Sequence, residues 1–306
     1  MDYVGIDLGS NSLRAVKMDE NLQIKGEYER TIRISEELQS KGIIGKSAIN
    51  RLLEALCELK KVLNITQNDK ILAITTEAMR KANNKEEVLS LCIKQCGIAF
   101  RIISGEEEAR LSALASKRAI KEISKVKREL NKDCFLVVDM GGASSEFIFC
   151  KNEKIFSKSF SIGIVTAKDK YSNLQTLLRN KEKILKSLKE FAKEARAEGF
   201  DAKFMVANSG IPTSVYAFKV GLDNYHQIKT LGGELTREDF LEQLEKFSNL
   251  SLEEKISLVG EYRADVMDIG IYLFLFFMEA LDFTRVLVVD EGLREGVIID
   301  ALEAVS

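Results

Sequence analysis

Two short stretches of this chain carry the same chemistry-bearing pattern. Val4-Gly-Ile-Asp-Leu-Gly-Ser-Asn-Ser12 recurs as Leu136-Val-Val-Asp-Met-Gly-Gly-Ala-Ser144, so Asp7 and Asp139, Gly9 and Gly141, and Ser12 and Ser144 align at one offset. In each copy an apolar strand ends in Asp, runs into a small turn and is followed by a second strand. Such a tip suits a phosphate. Glycine lets the backbone approach closely and turn with φ > 0, presenting successive N–H groups to an anion. Serine hydroxyls add donors, and the Asp carboxylate offers a hard oxygen to Mg²⁺, directly or through water. One such tip reads equally well as a tight hairpin turn; its recurrence is what points to function.

Other chemistries lack their residues. The single His, His226, allows no multi-His metal centre, and any Ser-His-Asp triad would have to use it. It sits in the polar run Asp223-Asn-Tyr-His-Gln227 and reads as a surface or capping residue. No Ser or Cys has the neighbours of an activated nucleophile. The five cysteines, Cys57, Cys92, Cys96, Cys134 and Cys150, are odd in number and scattered, unlike a disulfide framework. Cys92 and Cys96 share a helix face without a His or further Cys to complete a metal site, so buried, reduced thiols are expected. Ser104 followed by Glu107 is a capping box, and Glu106 and Glu107 complement the helix dipole.

Forty-five basic against 47 acidic residues give a net charge of −2, so any phosphate site must be built locally. No basic stripe or aromatic array supports nucleic-acid binding. The N-terminus lacks the basic and apolar regions of a signal peptide. The most apolar run, Ile269 to Met278, falls short of the roughly 20 residues that span a bilayer and reads as a buried helix. These features predict a cytoplasmic protein with no membrane or nucleic-acid partner.

The elements that must position these residues alternate between strand and helix, an α/β pattern. Strands are predicted over Tyr3 to Asp7, Arg14 to Met18, Lys70 to Thr75, Phe135 to Asp139, Glu146 to Cys150, Phe204 to Ala207 and Arg285 to Val289. Third strands follow each repeat near Ile24 and Ile155. Helices are predicted over Lys46 to Leu63, Glu86 to Cys96, Glu106 to Glu129, Thr176 to Glu198 and Ala264 to Leu281. Glu122 to Lys132 reads as a charged, solvated face. The 306 residues suffice for two modest domains, and a duplicated hairpin implies two similar ones facing each other across a cleft.

Together these residues resemble the exopolyphosphatase and guanosine pentaphosphate phosphohydrolase (Ppx/GppA) family of the actin-like superfamily. The resemblance rests on Ile6-Asp-Leu-Gly-Ser-Asn-Ser12, Thr75-Thr-Glu-Ala-Met-Arg80, Ile103-Ser-Gly-Glu-Glu-Glu-Ala-Arg110 and Val138-Asp-Met-Gly-Gly-Ala-Ser-Ser-Glu146. Ser161-Ile-Gly163, Ser209-Gly-Ile-Pro-Thr213, Glu261-Tyr-Arg-Ala-Asp265 and Glu291-Gly-Leu-Arg-Glu-Gly296 extend it over essentially the whole chain. It implies two ribonuclease H-like, actin-like domains with a duplicated β-hairpin phosphate loop and the active site in the interdomain cleft. Domain I would cover 1–121 plus about 291–306, and domain II 122–290, with opening and closing to admit substrate.

The resemblance also implies a reaction: Mg²⁺-dependent removal of the terminal phosphate of inorganic polyphosphate by direct water attack, with Mn²⁺ as the alternate metal. The alternatives are hydrolysis of pppGpp to ppGpp and non-catalytic binding of (p)ppGpp or polyphosphate; a kinase of the same superfamily is disfavoured by the Ser-Gly-Glu-Glu-Glu segment. Glu108 would be the general base, with Glu107 structural. Asp139 would be the principal metal contact, Glu146 would orient metal or water, and Asp7 would be the symmetric metal residue. Ser10, Asn11 and Ser12 would line the first phosphate loop, and Gly141, Gly142, Ser144 and Ser145 the second. Arg80 would clamp phosphate, its bland reading being a salt bridge to an acid near position 86. Arg263 and Arg294 would serve domain packing or distal phosphates. A homodimer is implied. Two departures stand out. Ala143 replaces a third glycine of the second loop, where its Cβ is expected to restrict the turn. The chain also stops before the C-terminal HD-type region of longer members, which implies a short form with a shallower channel.

Overall fold

Asp7 and Asp139 each stand one residue before the end of the central strand of a five-strand arrangement that this chain builds twice. The computed structural model describes residues 1–124, 134–171, 173–221 and 232–304. By internal contact the chain divides into residues 1–115 with 291–306, and residues 116–290. His226 and the part of the charged run beyond Ser124 lie outside the described residues.

The first unit begins with a meander of β1 (Tyr3–Leu8), β2 (Ser12–Met18) and β3 (Ile24–Thr31). It continues through α1 (Leu38–Lys41), α2 (Lys46–Val62), β4 (Lys70–Thr75), α3 (Glu77–Lys81), α4 (Lys85–Cys96), β5 (Phe100–Ile102) and α5 (Gly105–Ile123). The sheet order is β3-β2-β1-β4-β5, antiparallel among the first three and parallel from β1 onward. β1 is apolar on both faces because both are covered. Val4, Ile6 and Leu8 cluster with Leu52, Leu56 and Leu59 of α2, whose apolar residues recur at three- and four-residue spacing.

On the other face Tyr3 and Val16 cluster with Leu111 of α5 and with Leu293, Val297 and Ile298 of the C-terminal helix, residues Leu293–Glu303. That helix lies so close to β1 that a Cβ on Gly5 would stand 1.9 Å from the Arg294 carbonyl oxygen. Gly5→Ala should therefore cost more than about 3 kcal/mol, read as a fall in the urea midpoint. An unchanged midpoint would show that the helix does not bear on β1.

The second unit repeats the meander with β6 (Cys134–Met140), β7 (Ser145–Lys151) and β8 (Lys154–Phe160), followed by α6 (Ile164–Tyr171), α7 (Leu174–Arg179), α8 (Lys181–Ala197) and β9 (Met205–Ala207). Then come α9 (Gly210–Lys219), β10 (Gly233–Thr236), α10 (Arg237–Ser248), α11 (Leu252–Val259), α12 (Glu261–Ala264), α13 (Met267–Leu281) and β11 (Arg285–Val288); the C-terminal helix is α14. Its sheet order is β10-β11-β9-β6-β7-β8. Read from β8 inward, this is the first unit's arrangement with one extra antiparallel edge strand, β10. Phe147 of β7 stacks edge-on against Phe160 and Phe277, and α13 is buried along nearly its whole length. The apolar run from Ile269 to Met278 is thus a core helix, and no helix among the described residues is long and apolar enough to cross a membrane.

Two predicted helices are each broken in two. The helix expected over Thr176 to Glu198 divides at Asn180, whose Nδ2 donates to the Thr176 carbonyl at 2.8 Å and ends α7. The helix expected from Ala264 divides at Asp265 and Val266. β5 and β10, three and four residues long, are too short to show a period.

Candidate active site

The two hairpin tips close with the same bond. Gly9 N–H donates to the Ser12 carbonyl at 3.0 Å, and Gly141 N–H to the Ser144 carbonyl at 2.9 Å. The expectation that these glycines turn with positive φ is not met: Gly9, Gly141 and Gly142 are absent from the left-handed region, and so is Ala143. What glycine supplies here is room, since a Cβ on Gly141 would stand 3.2 Å from the Ser144 carbonyl. Ala143 consequently imposes no backbone strain, and the restriction expected from it has no basis in the backbone.

Each tip spends its carbonyls inward. In the first, the Asn11 carbonyl accepts from the N–H groups of Ile32 and Arg33 at 2.8 and 2.7 Å, and the Ser10 carbonyl accepts from the Ser35 hydroxyl at 3.1 Å. Thr75 Oγ1 donates to the Leu8 carbonyl at 2.9 Å. In the second, the Gly141 carbonyl accepts from Ile164 N–H and the Gly142 carbonyl from Val165 N–H, both at 2.9 Å. The start of α6 is thus occupied by the loop's own oxygens. In a trans peptide the C=O and the following N–H point in opposite directions. Carbonyls drawn onto α6 therefore aim the N–H groups of Gly142, Ala143 and Ser144 away from it, as a row of donors for an anion.

Two residues holding this loop escaped the sequence reading. Thr166 Oγ1 accepts from Gly163 N–H at 2.8 Å and donates to the Ala143 carbonyl at 3.0 Å. A Cβ on Gly163 would lie 2.5 Å from Gly141 O and from Gly142 C and O. The available signal was the Ser161-Ile-Gly163 match itself, with a Thr three residues on at a helix start. Ser145 belongs to the same brace: it is fully buried and its hydroxyl donates to the Ile162 carbonyl at 2.6 Å.

Asp139 and Glu146 sit directly opposite each other in the β6–β7 ladder, whereas the matching pair in β1–β2 is Asp7 and Arg14. Glu146 is buried, its Oε1 accepting from the Ser144 and Ser159 hydroxyls at 2.7 and 2.8 Å. Like charges directly opposite repel. Two facing carboxylates therefore fit a hard dication, while an acid facing a guanidinium has less need of one. No group of three or more His, Cys, Asp or Glu side chains suited to a metal occurs among the described residues.

The three acids at the start of α5 separate by burial: Glu106 is exposed, Glu107 intermediate and Glu108 buried. Glu107 N–H donates to the Ser104 hydroxyl at 3.1 Å, one half of the expected capping box; its carboxylate pairs with Arg101 and does not complete the other half. Glu108 turns inward, where its Oε2 accepts from Arg80 Nη1 at 3.1 Å; the same nitrogen donates to the Ile103 carbonyl at 2.6 Å. Arg80 thus pairs with Glu108 and not with an acid near position 86. Arg294, offered for packing or distal phosphates, is buried and bonded to Glu295 and Glu27 at 2.7 Å each.

A further polar group lies beside Asp139. β9 runs parallel to β6 with Val138 opposite Ala207, so Asn208 follows at the level of Asp139. Asn208 and Ser209 are both 2% exposed, and neither the Asn208 amide atoms nor the Ser209 hydroxyl has a partner among the described residues. Ser209 precedes α9 with Pro212 at the third helical position, which has no N–H for a cap to reach.

Residues 14–305 match the model of the Ppx/GppA phosphatase family. The chain is 26% identical to the guanosine-5'-triphosphate,3'-diphosphate pyrophosphatase of Pseudoalteromonas translucida, over 98% of this chain and 59% of that one. It is 27% identical to the protein of the same name from Vibrio vulnificus, over 96% and 58%. The chain thus spans about three fifths of the length of these curated relatives. Among solved structures, the Ppx/GppA family member of Aquifex aeolicus superposes with a TM-score of 0.77 at 26% identity, covering 100% of this chain and 99% of that one. An exopolyphosphatase from Cytophaga hutchinsonii shares the fold, with a TM-score of 0.82 at 20% identity over 100% and 99%. With its family model matched over nearly its whole length, and its two-sheet α/β architecture shared with solved members, this chain belongs to the Ppx/GppA phosphatase family.

Proposed function

We propose that this protein hydrolyses a terminal phosphoanhydride bond, removing the end phosphate of inorganic polyphosphate by direct attack of water. The observation that carries the reading is the second hairpin tip, whose carbonyls are drawn onto α6 so that its N–H groups face outward. These donors, with the Ser144 hydroxyl, would hold the phosphate oxygens; Ser10, Asn11 and Ser12 would do the same at the first tip. Gly142, Ala143 and Ser144 would carry charge that grows on those oxygens as the bond breaks, with little reorganisation because α6 already holds the loop. Glu108 would take the proton from the attacking water, a role typically contributing 10²–10⁴-fold. Arg80 orients that carboxylate by gripping Oε2. Asp139 would hold Mg²⁺ or Mn²⁺ with Glu146 beside it, and the bound ion would neutralise phosphate charge. Asp7 would act at the first tip through water.

Thr166 tests the brace. Thr166→Val should raise KM several-fold with a smaller change in kcat, and Thr166→Ser should restore it, because only the hydroxyl ties Gly163 to Ala143. Equal KM values in the two variants would remove the brace from the account.

The names of the curated relatives favour a second reading, in which pppGpp is the substrate. Initial rates of phosphate release from long polyphosphate and from pppGpp, measured side by side, separate the two. A higher kcat/KM on polyphosphate supports the first; a higher value on pppGpp replaces it with the second.

A further inference from the structure

Away from the proposed catalytic residues, two thiols from different helices meet. Cys57 lies on α2 and Cys96 is the last residue of α4, and their Sγ atoms are 3.6 Å apart. Of the five thiols, all expected to be buried, Cys57 is the exception: it is exposed, while Cys96 is 4% exposed.

We infer that Cys57 and Cys96 form an oxidisable pair, a site at which peroxide converts two thiols into one disulfide joining α2 to α4. The chemistry proceeds in two balanced steps. The Cys57 thiolate attacks the peroxide, giving a sulfenic acid and releasing hydroxide; the Cys96 thiol then displaces the sulfenic oxygen as water, forming the S–S bond. Overall two thiols lose two electrons and two protons, and one hydrogen peroxide becomes two waters. Only Cys57 offers an accessible sulfur for the first step. Cys96, shielded from the oxidant, resolves the intermediate from a distance that must close by about 1.5 Å to reach the normal S–S length.

The surroundings allow that closure. Cys96 ends its helix at a Gly97 cap, and among the described residues its sulfur has, besides Cys57, only a weak 3.6 Å contact with the Leu53 carbonyl of α2 to give up. The Lys60 ammonium, bonded to the Cys96 carbonyl at 3.0 Å, favours the Cys96 thiolate only weakly, against the larger opposing effects of burial and of the neighbouring Cys57. Burial pushes the Cys96 thiol up to about 12. Once Cys57 is a sulfenic acid its own charge no longer acts on Cys96, but burial still disfavours the Cys96 thiolate, so resolution should quicken as pH rises. Cys92, four residues before Cys96 on α4, is fully buried and held up to about 11 by burial; among the described residues its sulfur makes no hydrogen-bond contact with Cys57.

The consequence reaches the site residues through the chain. The segment between the two cysteines contains β4 and α3, and so Thr75 and Arg80. A disulfide would close this segment into a loop, removing conformations from the unfolded chain more than from the folded one.

The test uses the full chain, treated with hydrogen peroxide after removal of reductant, then alkylated and analysed by intact mass and peptide mapping. The expected result is a loss of 2 Da in the monomer, a Cys57–Cys96 linked peptide and a melting temperature higher by several degrees, all reversed by a dithiol reductant. Cys57→Ser, a surface change that should leave folding intact, is expected to abolish the 2-Da loss, and Cys92→Ser to retain it. Over-oxidation of Cys57 without the crosslink, a disulfide only between two chains, or a crosslink that survives in Cys57→Ser would each overturn the inference.

Discussion

Glu108→Gln should lower phosphate release by about 10²–10⁴-fold while substrate binding stays within a few-fold of wild type. The substitution keeps the shape of the side chain and an oxygen that can still accept from Arg80, so the contact that seats Glu108 survives. What disappears is the capacity to take a proton. A fall in kcat with little change in KM is therefore the signature, since the lost interaction is made only as water attacks. Arg80→Gln separates the two roles in this pair: it should loosen Glu108 without deleting the base, and so fall between wild type and Glu108→Gln. If Glu108→Gln retained full activity, Glu108 would be only the structural partner of Arg80, and the base would have to be sought elsewhere.

Gly163→Ala should reduce kcat/KM by about 10- to 100-fold, because a misplacement approaching 1 Å in a binding element costs on that order. The added methyl would meet Gly141 O and Gly142 C and O at 2.5 Å, all of them backbone atoms with no side chain to swing aside. The loop itself has to move, and with it the N–H groups proposed to hold phosphate. The effect should appear mainly in KM and be accompanied by some loss of thermal stability. Gly105→Ala is the matched control. Nothing lies within 4 Å of a Cβ there, and alanine is the better helix former in α5. Gly163→Ala behaving like Gly105→Ala would mean that the α6 junction does not set the loop.

The repeat made the fold legible in the sequence because the pattern of apolar strand, Asp and small turn is local and survives in the residue types. Both meanders followed from it; the burial of α13 was legible separately, in its continuous apolar run. The arrangement that fixes the second loop was not legible, because it depends on contacts from Gly163 and Thr166, some twenty residues further along the chain. Ser145 was misjudged for a related reason: a serine in a phosphate-like loop suggests a ligand donor, yet strand β7 turns it inward onto Ile162. The role of glycine was read from its conformational freedom, whereas the second loop uses its lack of a side chain, at Gly141 and against Gly163. Among the three acids opening α5, capping chemistry identified Glu107 and the family resemblance Glu108, and burial then separates Glu108 physically from Glu106. The facing of Asp139 by Glu146, and of Asp7 by Arg14, was latent in the repeat offset and becomes meaningful once the register is known.

The central claim is that this chain breaks phosphoanhydride bonds and does not merely bind their owners. The most direct measurement is continuous phosphate release from polyphosphate and from pppGpp by the purified protein, with Mg²⁺ present and then chelated, alongside equilibrium binding of the same compounds. The account predicts multiple turnovers on at least one of them, abolished by chelation and restored by added Mg²⁺. Saturable binding of both compounds with no phosphate released from either would contradict it and make the protein a binder.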